Sequence, residues 1–393
     1  MTATTLDQAP ARELSRAWRP VGLAMLVIGW GGNQFTPLLM VYRAHGGFSQ
    51  LDVDVFLGAY VVGLVPGLLI ASRLSDRYGR RPLMLIGLAA SFLGSALLAL
   101  GDIAGYPALF AGRALSGIAV GIAMAVGTAW VTELSVPGAG ARRSAILLTT
   151  GFAAGPASAG LLAQWTAPAL VWPYVVHLAL CLPAIWLVVT GSVETRREHT
   201  RRVRLRVHRR FLHVVLPMAP WIFGSAGVAY AIIPQVVDAS LGRWALLFTA
   251  ALTVATLVTG VLVQPIARRL DDLSTARAVV VSMGLMTLGM ALAALTAVVR
   301  RPWLAVPVAL VLGAAYGIAV VSGLLEVQRM ASPEELSGLT GVYYALAYVG
   351  FLLPAVLAFL GHWFALPAML TGVALTCLAC TLVCSTGWSR KAS

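Results

Sequence analysis

"RLSDRYGRRP", residues 73–82, sets Arg73, Asp76, Arg77, Arg80 and Arg81 between two uncharged runs, "FLGAYVVGLVPGLLIA" (56–71) and "LMLIGLAASFLGSALLAL" (83–100). A soluble core would not leave such runs around a knot of charge. Two membrane helices joined by a tight turn would, since a bilayer-spanning helix needs about 20 predominantly apolar residues. The whole chain repeats this pattern. It is 59% hydrophobic and 11% charged, with a mean hydropathy of +0.85, whereas a soluble domain carries about 25% charged residues. The first apolar run, from Pro20, is too long and too weakly bounded for a cleaved signal peptide and reads as a retained span.

The apolar runs number twelve, at 20–42, 53–72, 82–101, 106–131, 144–164, 172–191, 212–237, 244–266, 278–299, 303–325, 338–360 and 366–385. The expected fold is therefore all-α and integral to the membrane. Its parts are a tail (1–19), a first six-helix bundle (20–191), an Arg-rich linker (192–211), a second six-helix bundle (212–385) and a short tail (386–393). With the N-terminus inside, the inner segments hold the 73–81 arginines, Arg142, Arg143, the arginines of the linker, Arg268, Arg269, Arg277 and Arg329. The outer ones hold only Arg43, Arg243, Arg300 and Arg301. This bias follows the positive-inside rule, so the expectation is a multi-pass protein of the cell's inner (plasma) membrane with both termini cytoplasmic.

A formal charge of +13 in a soluble protein would suggest nucleic acid. Here the arginines flank spans, and the insert "GSVETRREHTRRVRLRVHRR" (191–210) has no aromatic residue for base stacking. It reads as a linker held at the anionic inner leaflet. Cys181, Cys377, Cys380 and Cys384 all lie in apolar runs without a neighbouring carboxylate. They imply helix packing, with no metal, cofactor or disulfide framework.

The two halves echo each other. "SRLSDRYGRRP" (72–82) has a weak counterpart in "RRLDDLSTARA" (268–278), with Asp76 over Asp272. Pro37 falls near Pro234, and "SGIAVG" from Ser116 is echoed by "YGIAVV" from Tyr316. Internal repeats around a central site are a transporter architecture.

On these residues the chain resembles the major facilitator superfamily. Asp76, Arg77, Gly79, Arg80 and Arg81 fill the family's signature loop between helices two and three, with Ser72 where Gly is usual. Gly79 permits a turn that a side chain would obstruct. Asp76 is expected to meet the amides at a neighbouring helix start. Arg80 or Arg81 is expected to pair with Glu133, which closes span four on the same side. The resemblance implies that this cluster latches the two halves in the outward-facing state.

"GFAAGPASAG" (151–160) resembles the motif of the twelve-helix drug/proton antiporter branch, with Ala159 replacing a glycine. Gly151 and Gly155 form a small-xxx-small face that lets another helix approach closely, Gly160 closes the motif, and Pro156 frees the carbonyl one turn earlier and kinks the helix. In the family this motif goes with exporters. "LFAGRALSGIAVG" (109–121) resembles the Arg-containing helix-four motif. Arg113, about 10 Å into its span at ~1.5 Å per residue, is a membrane charge and functional by default. Asn33 and Gln34 of "WGGNQFTP" (30–37) fall at a similar depth, and Tyr230 lies opposite Gln34 by the repeat. These four are the expected substrate contacts. Every acidic residue lies in a loop or near a span end. The mid-membrane carboxylate common in such antiporters is therefore absent from helices one and seven. Asp54, and behind it His177, remain as proton-coupling candidates.

The sequence thus points to a monomeric secondary transporter that moves a small amphipathic molecule, a drug or secondary metabolite, outward in exchange for protons. A sugar or small-metabolite facilitator is the alternative. No catalytic constellation or nucleotide-binding loop supports an enzyme or an ATP-driven pump.

Overall fold

The structure, a computed structural model, describes residues 16–45, 47–136, 139–195, 208–272, 274–332 and 335–387. Most of the Arg-rich insert and both tail ends lie outside these residues. The spans are helices α1 (Arg19–Asn33 continued by Phe35–His45), α2 (Gln50–Tyr78), α3 (Arg80–Ala99), α4 (Ile103–Glu133), α5 (Gly140–Trp165) and α6 (Trp172–Gly191). The second set is α7 (Phe211–Ser240), α8 (Gly242–Leu270), α9 (Arg277–Val299), α10 (Pro302–Met330), α11 (Gly338–Leu360) and α12 (Leu366–Thr386). Among the described residues, eleven helices are long and apolar enough to cross a membrane. α1 supplies the twelfth span, because its break at Gln34 divides it into pieces of 15 and 11 residues.

Lipid is the solvent these helices are built for. Leu262, Trp186, Leu375 and Leu382 are each more than three-fifths exposed, which water would penalise and hydrocarbon does not. Trp165, Trp172, Trp244, Trp303 and Trp363 are also exposed. Trp165, Trp172, Trp244 and Trp303 lie at helix ends and Trp363 in the turn between α11 and α12, where indole rings favour the membrane–water boundary.

The internal repeat is visible in how helices are interrupted and crossed. Pro37 has no N–H for the carbonyl of Asn33, and α1 breaks there. Pro234 stands in the same relation to Tyr230, and α7 widens into a π turn over Val228–Ile232. In α5, a Cβ on Gly151 would collide with the Leu26 carbonyl of α1 and lie 2.9 Å from Trp30 N. In α11, a Cβ on Gly350 would collide with the Pro220 carbonyl of α7. Pro156 inside α5 is matched by Pro354 in α11, just beyond a tight turn at Gly350–Leu352.

Close contacts divide the chain into two units. The first comprises residues up to 33, 62–155 and 171–199. The second comprises 34–61, 156–170 and 200 onward. Within the second unit the arginine-poor ends of α1, α2 and α5 pack with the later helices. Thr249 donates to Met40 Sδ at 2.9 Å, Arg43 Nη1 to Gln235 Oε1 at 3.1 Å, and Gln164 Nε2 to Arg243 O at 3.0 Å. Tyr60 of α2 joins a buried aromatic cluster. Phe223 stacks on Tyr348 with centroids 4.1 Å apart and on Phe351 at 5.0 Å, with Tyr230 6.3 Å from Phe351.

Candidate functional site

The charged loop folds around Arg80, within the first unit. Gly79 has φ +101°, a conformation side chains rarely adopt, and a Cβ there would lie 3.1 Å from Glu194 Oε1. Arg80 Nη1 bridges Asp76 Oδ1 at 2.9 Å, Nη2 bridges Glu133 Oε1 at 3.1 Å, and Nη1 also meets Ser75 Oγ. Thr195 donates to the other Glu133 oxygen.

The carboxylate at the helix start is Glu194, not Asp76. It accepts the Arg80 N–H at 2.6 Å and the Arg81 N–H at 3.0 Å, the favourable pairing of an anion with a helix N-terminus. Asp76 instead faces Arg80 one turn on. Between the two arginines expected to pair with Glu133, Arg80 does so. Arg81 makes no side-chain ion pair among the described residues, and Arg77 lies 5.2 Å over the Tyr78 ring. Glu194 was missed because it opens the Arg-rich insert and reads there as linker. Its signal was position, a single acid just past the end of α6.

In the second unit the repeat is shifted by one residue. Asp271 pairs with Arg329, while Asp272, set over Asp76 by sequence, closes a local turn. Its carboxylate accepts from the Ser274 N–H at 3.0 Å and from the Thr275 and Ser274 hydroxyls, which hold its pKa at about 2. Its contribution to stability is complete above the usual ~3.9 and fades as pH falls through about 2. A further bridge, Arg210 Nε to Glu326 Oε2 at 2.7 Å, joins the start of α7 to the end of α10 at a glutamate only 2% exposed.

Arg113 is buried, 1% exposed, and lies ~10 Å along the helix from Tyr106, where α4 resumes after its break at Gly105, at ~1.5 Å per residue. Its Nη1 donates to Gly32 O at 3.0 Å, beside the break in α1. A cation at the carbonyl end of a helix segment is favourable. Asn33 is on the same turn of α1, and its Nδ2 donates to Phe152 O at 3.4 Å. That carbonyl is the one Pro156 deprives of its helical donor. Gln34 is buried in the second unit, and Tyr230 lies in the aromatic cluster there. Trp30 Nε1 is buried and has no hydrogen-bond partner among the described residues. Sequence reasoning passed over Trp30 because an indole in an apolar run is ordinary.

His177 is buried and engaged at both ring nitrogens. Nε2 donates to Val27 O at 3.0 Å, so Nδ1 accepts from Ser95 Oγ at 2.8 Å. Asp54 is also buried, with Oδ2 accepting from Gln50 Nε2 at 2.5 Å. Oδ1 has no partner among the described residues. Asp54 lines a cavity of about 790 Å³ within the second unit, with Arg43, Gln235, Arg300 and His362 also on its walls.

The model of the Major Facilitator Superfamily matches residues 21–355, most of the chain. The chain belongs to the Major Facilitator Superfamily. The crystal structure of a D-xylose-proton symporter shares the fold, with a TM-score of 0.66 and 14% identity over 92% of this chain and 96% of that one. Among curated relatives, a 4-hydroxybenzoate transporter, PcaK, of Pseudomonas aeruginosa is 29% identical over 52% of this chain and 45% of its own length. The PcaK of Pseudomonas putida is 25% identical over 64% of this chain and 56% of its own. A 3-(3-hydroxy-phenyl)propionate transporter of Escherichia coli K12 is 31% identical over 33% of this chain and 32% of its own. The match thus spans about half the length of the PcaK relatives. These superfamily relatives carry the names of aromatic-acid transporters, not drug exporters.

Proposed function

We propose that the chain is a secondary transporter that moves a small aromatic carboxylic acid by alternating access, with protons as the coupling ion. Arg113 carries the reading. It is a buried guanidinium within a membrane span, a position that marks function by default, and a carboxylate is the ligand its planar fork fits. Trp30 Nε1 offers a second buried donor in the same unit. The relatives' names join a ring to a carboxylate. Between the proton candidates, Asp54 is preferred, because both nitrogens of His177 are already engaged. We place the arginine-rich end, with both termini, in the cytoplasm of a cell-membrane protein, and assign the Arg80 cluster to holding its helices in register as the transporter changes state.

Efflux of a drug or secondary metabolite is the second reading, and the α5 Gly-Pro motif favours it. Gly350 and Pro354 reproduce that device in α11, so helix packing alone accounts for it.

Thermal shift of the purified protein tests the substrate class. 4-Hydroxybenzoate and benzoate should raise Tm by several degrees when far above Kd, since a ligand at 100 Kd adds ~2.7 kcal/mol. Benzyl alcohol should not, and Arg113→Gln should at least halve the effect of the acids. Equal shifts from acid and alcohol would remove the carboxylate from the proposal.

A further inference from the structure

The cavity at the arginine-poor end of the second unit plays no part in the account of Arg113. Its volume of about 790 Å³ lies in the range of small-molecule sites, roughly 300–1,000 Å³. Its polar groups are graded from rim to floor. Arg43, Arg300 and His362 are exposed, while Asp54 is 1% exposed. Ile232, Leu357 and Met369 supply apolar wall between them.

The hydrogen-bond accounts of these groups are incomplete in a complementary way. Arg43 uses Nη1 on Gln235 Oε1, and the remaining donors of its fork make no described bond. Arg300 closes α9 in a left-handed conformation, and its side chain makes no hydrogen bond or ion pair among the described residues. At the other end Asp54 gives Oδ2 to Gln50 and leaves Oδ1 buried without a partner. Such an orphaned acceptor is costly, and a ligand hydroxyl would satisfy it. Donors at the rim and an acceptor at the floor describe a molecule with an anion at one end and an O–H at the other.

We propose that this cavity is a binding site for a small hydroxylated monocarboxylic acid. Arg300 and Arg43 take the carboxylate, the apolar wall takes the carbon skeleton, and Asp54 Oδ1 accepts a hydrogen bond from the hydroxyl. Asp238 also lines the cavity. Its negative charge balances one arginine and disfavours a dianion. The site is distinct from Arg113 and takes molecules of the class proposed for transport, so the choice of ligand rests on that reading.

Equilibrium dialysis of labelled 4-hydroxybenzoate against the purified full chain separates the two claims. Wild type should bind two equivalents and Arg113→Gln one. In the Arg113→Gln background, Arg300→Gln should abolish the remaining equivalent, with Arg43→Gln as an independent check on a second rim donor. Asp54→Asn in that background should lower the preference for 4-hydroxybenzoate over benzoate about tenfold, as expected for loss of a charge-assisted hydrogen bond. One equivalent in wild type and none in Arg113→Gln would overturn this site and leave the organic-acid reading standing. No binding to wild type would overturn both. An unchanged preference in Asp54→Asn would overturn the assignment of the hydroxyl, and with it the proposal.

Discussion

Arg80 holds together a cluster drawn from α2, α3, α4 and the segment after α6, through Asp76, Glu133 and the backbone amides that Glu194 accepts. Its guanidinium is almost wholly buried, and Glu133 nearly so. Removing one partner of such a pair leaves a charge without compensation, at a cost of ~3 kcal/mol. Arg80→Ala should therefore lower Tm in detergent by several degrees. Arg81→Ala, with no ion pair to lose, should change stability by no more than ~1 kcal/mol. Equal losses in the two variants would show that the loop acts through net charge. From sequence the two arginines were equivalent, because only the turn at Gly79 decides which one points inward. Asp76 was placed at a helix start for a related reason. Its spacing to Arg80 is that of an i, i+4 pair, a simpler partner than the amides assigned to it.

At the scale of elements, the α1–α5 contact joins two features that sequence treated separately. Sequence marks Asn33 as a substrate contact and Pro156 as a kink. In the structure the amide donates to the carbonyl that the proline leaves open. Asn33→Ala should cost about 1–2 kcal/mol through an orphaned Phe152 carbonyl, and little of that cost should remain in Pro156→Ala, which restores the helical donor. A double-mutant cycle reads this coupling directly, and strict additivity would refute it. The same helix carries Gly151. Gly151→Ala and Gly350→Ala should each destabilise by ~1–3 kcal/mol through forced helix separation. Gly284→Ala, with open space at its Cβ, should be neutral or mildly stabilising. If only Gly151→Ala were costly, the repeat would not explain the motif.

For the whole molecule, the twelve spans and the family were legible because hydrophobic length and arginine placement are properties of single segments. The observed helices extend the apolar runs by a few polar residues at their ends, as at Gln50 and Tyr78, where helix continues beyond the hydrocarbon core. What sequence could not supply was which long-range partner each polar group finds. Glu194, Trp30 and the one-residue shift between Asp76 and Asp271 all depend on packing between distant segments. The exporter expectation failed to gain support for the same reason. A glycine pattern specifies close approach of helices, not the direction in which a solute crosses.

In the function proposed, Arg113 binds the carboxylate of a transported acid. Its most direct test is uptake of labelled 4-hydroxybenzoate into proteoliposomes under an imposed proton gradient, comparing wild type with Arg113→Ala and Arg113→Lys. Wild type should accumulate the acid, Arg113→Ala should fall to the rate of empty liposomes, and Arg113→Lys should retain a small fraction because it keeps the charge and loses the fork. Accumulation by Arg113→Ala at the wild-type rate, with protein correctly inserted, would contradict the account.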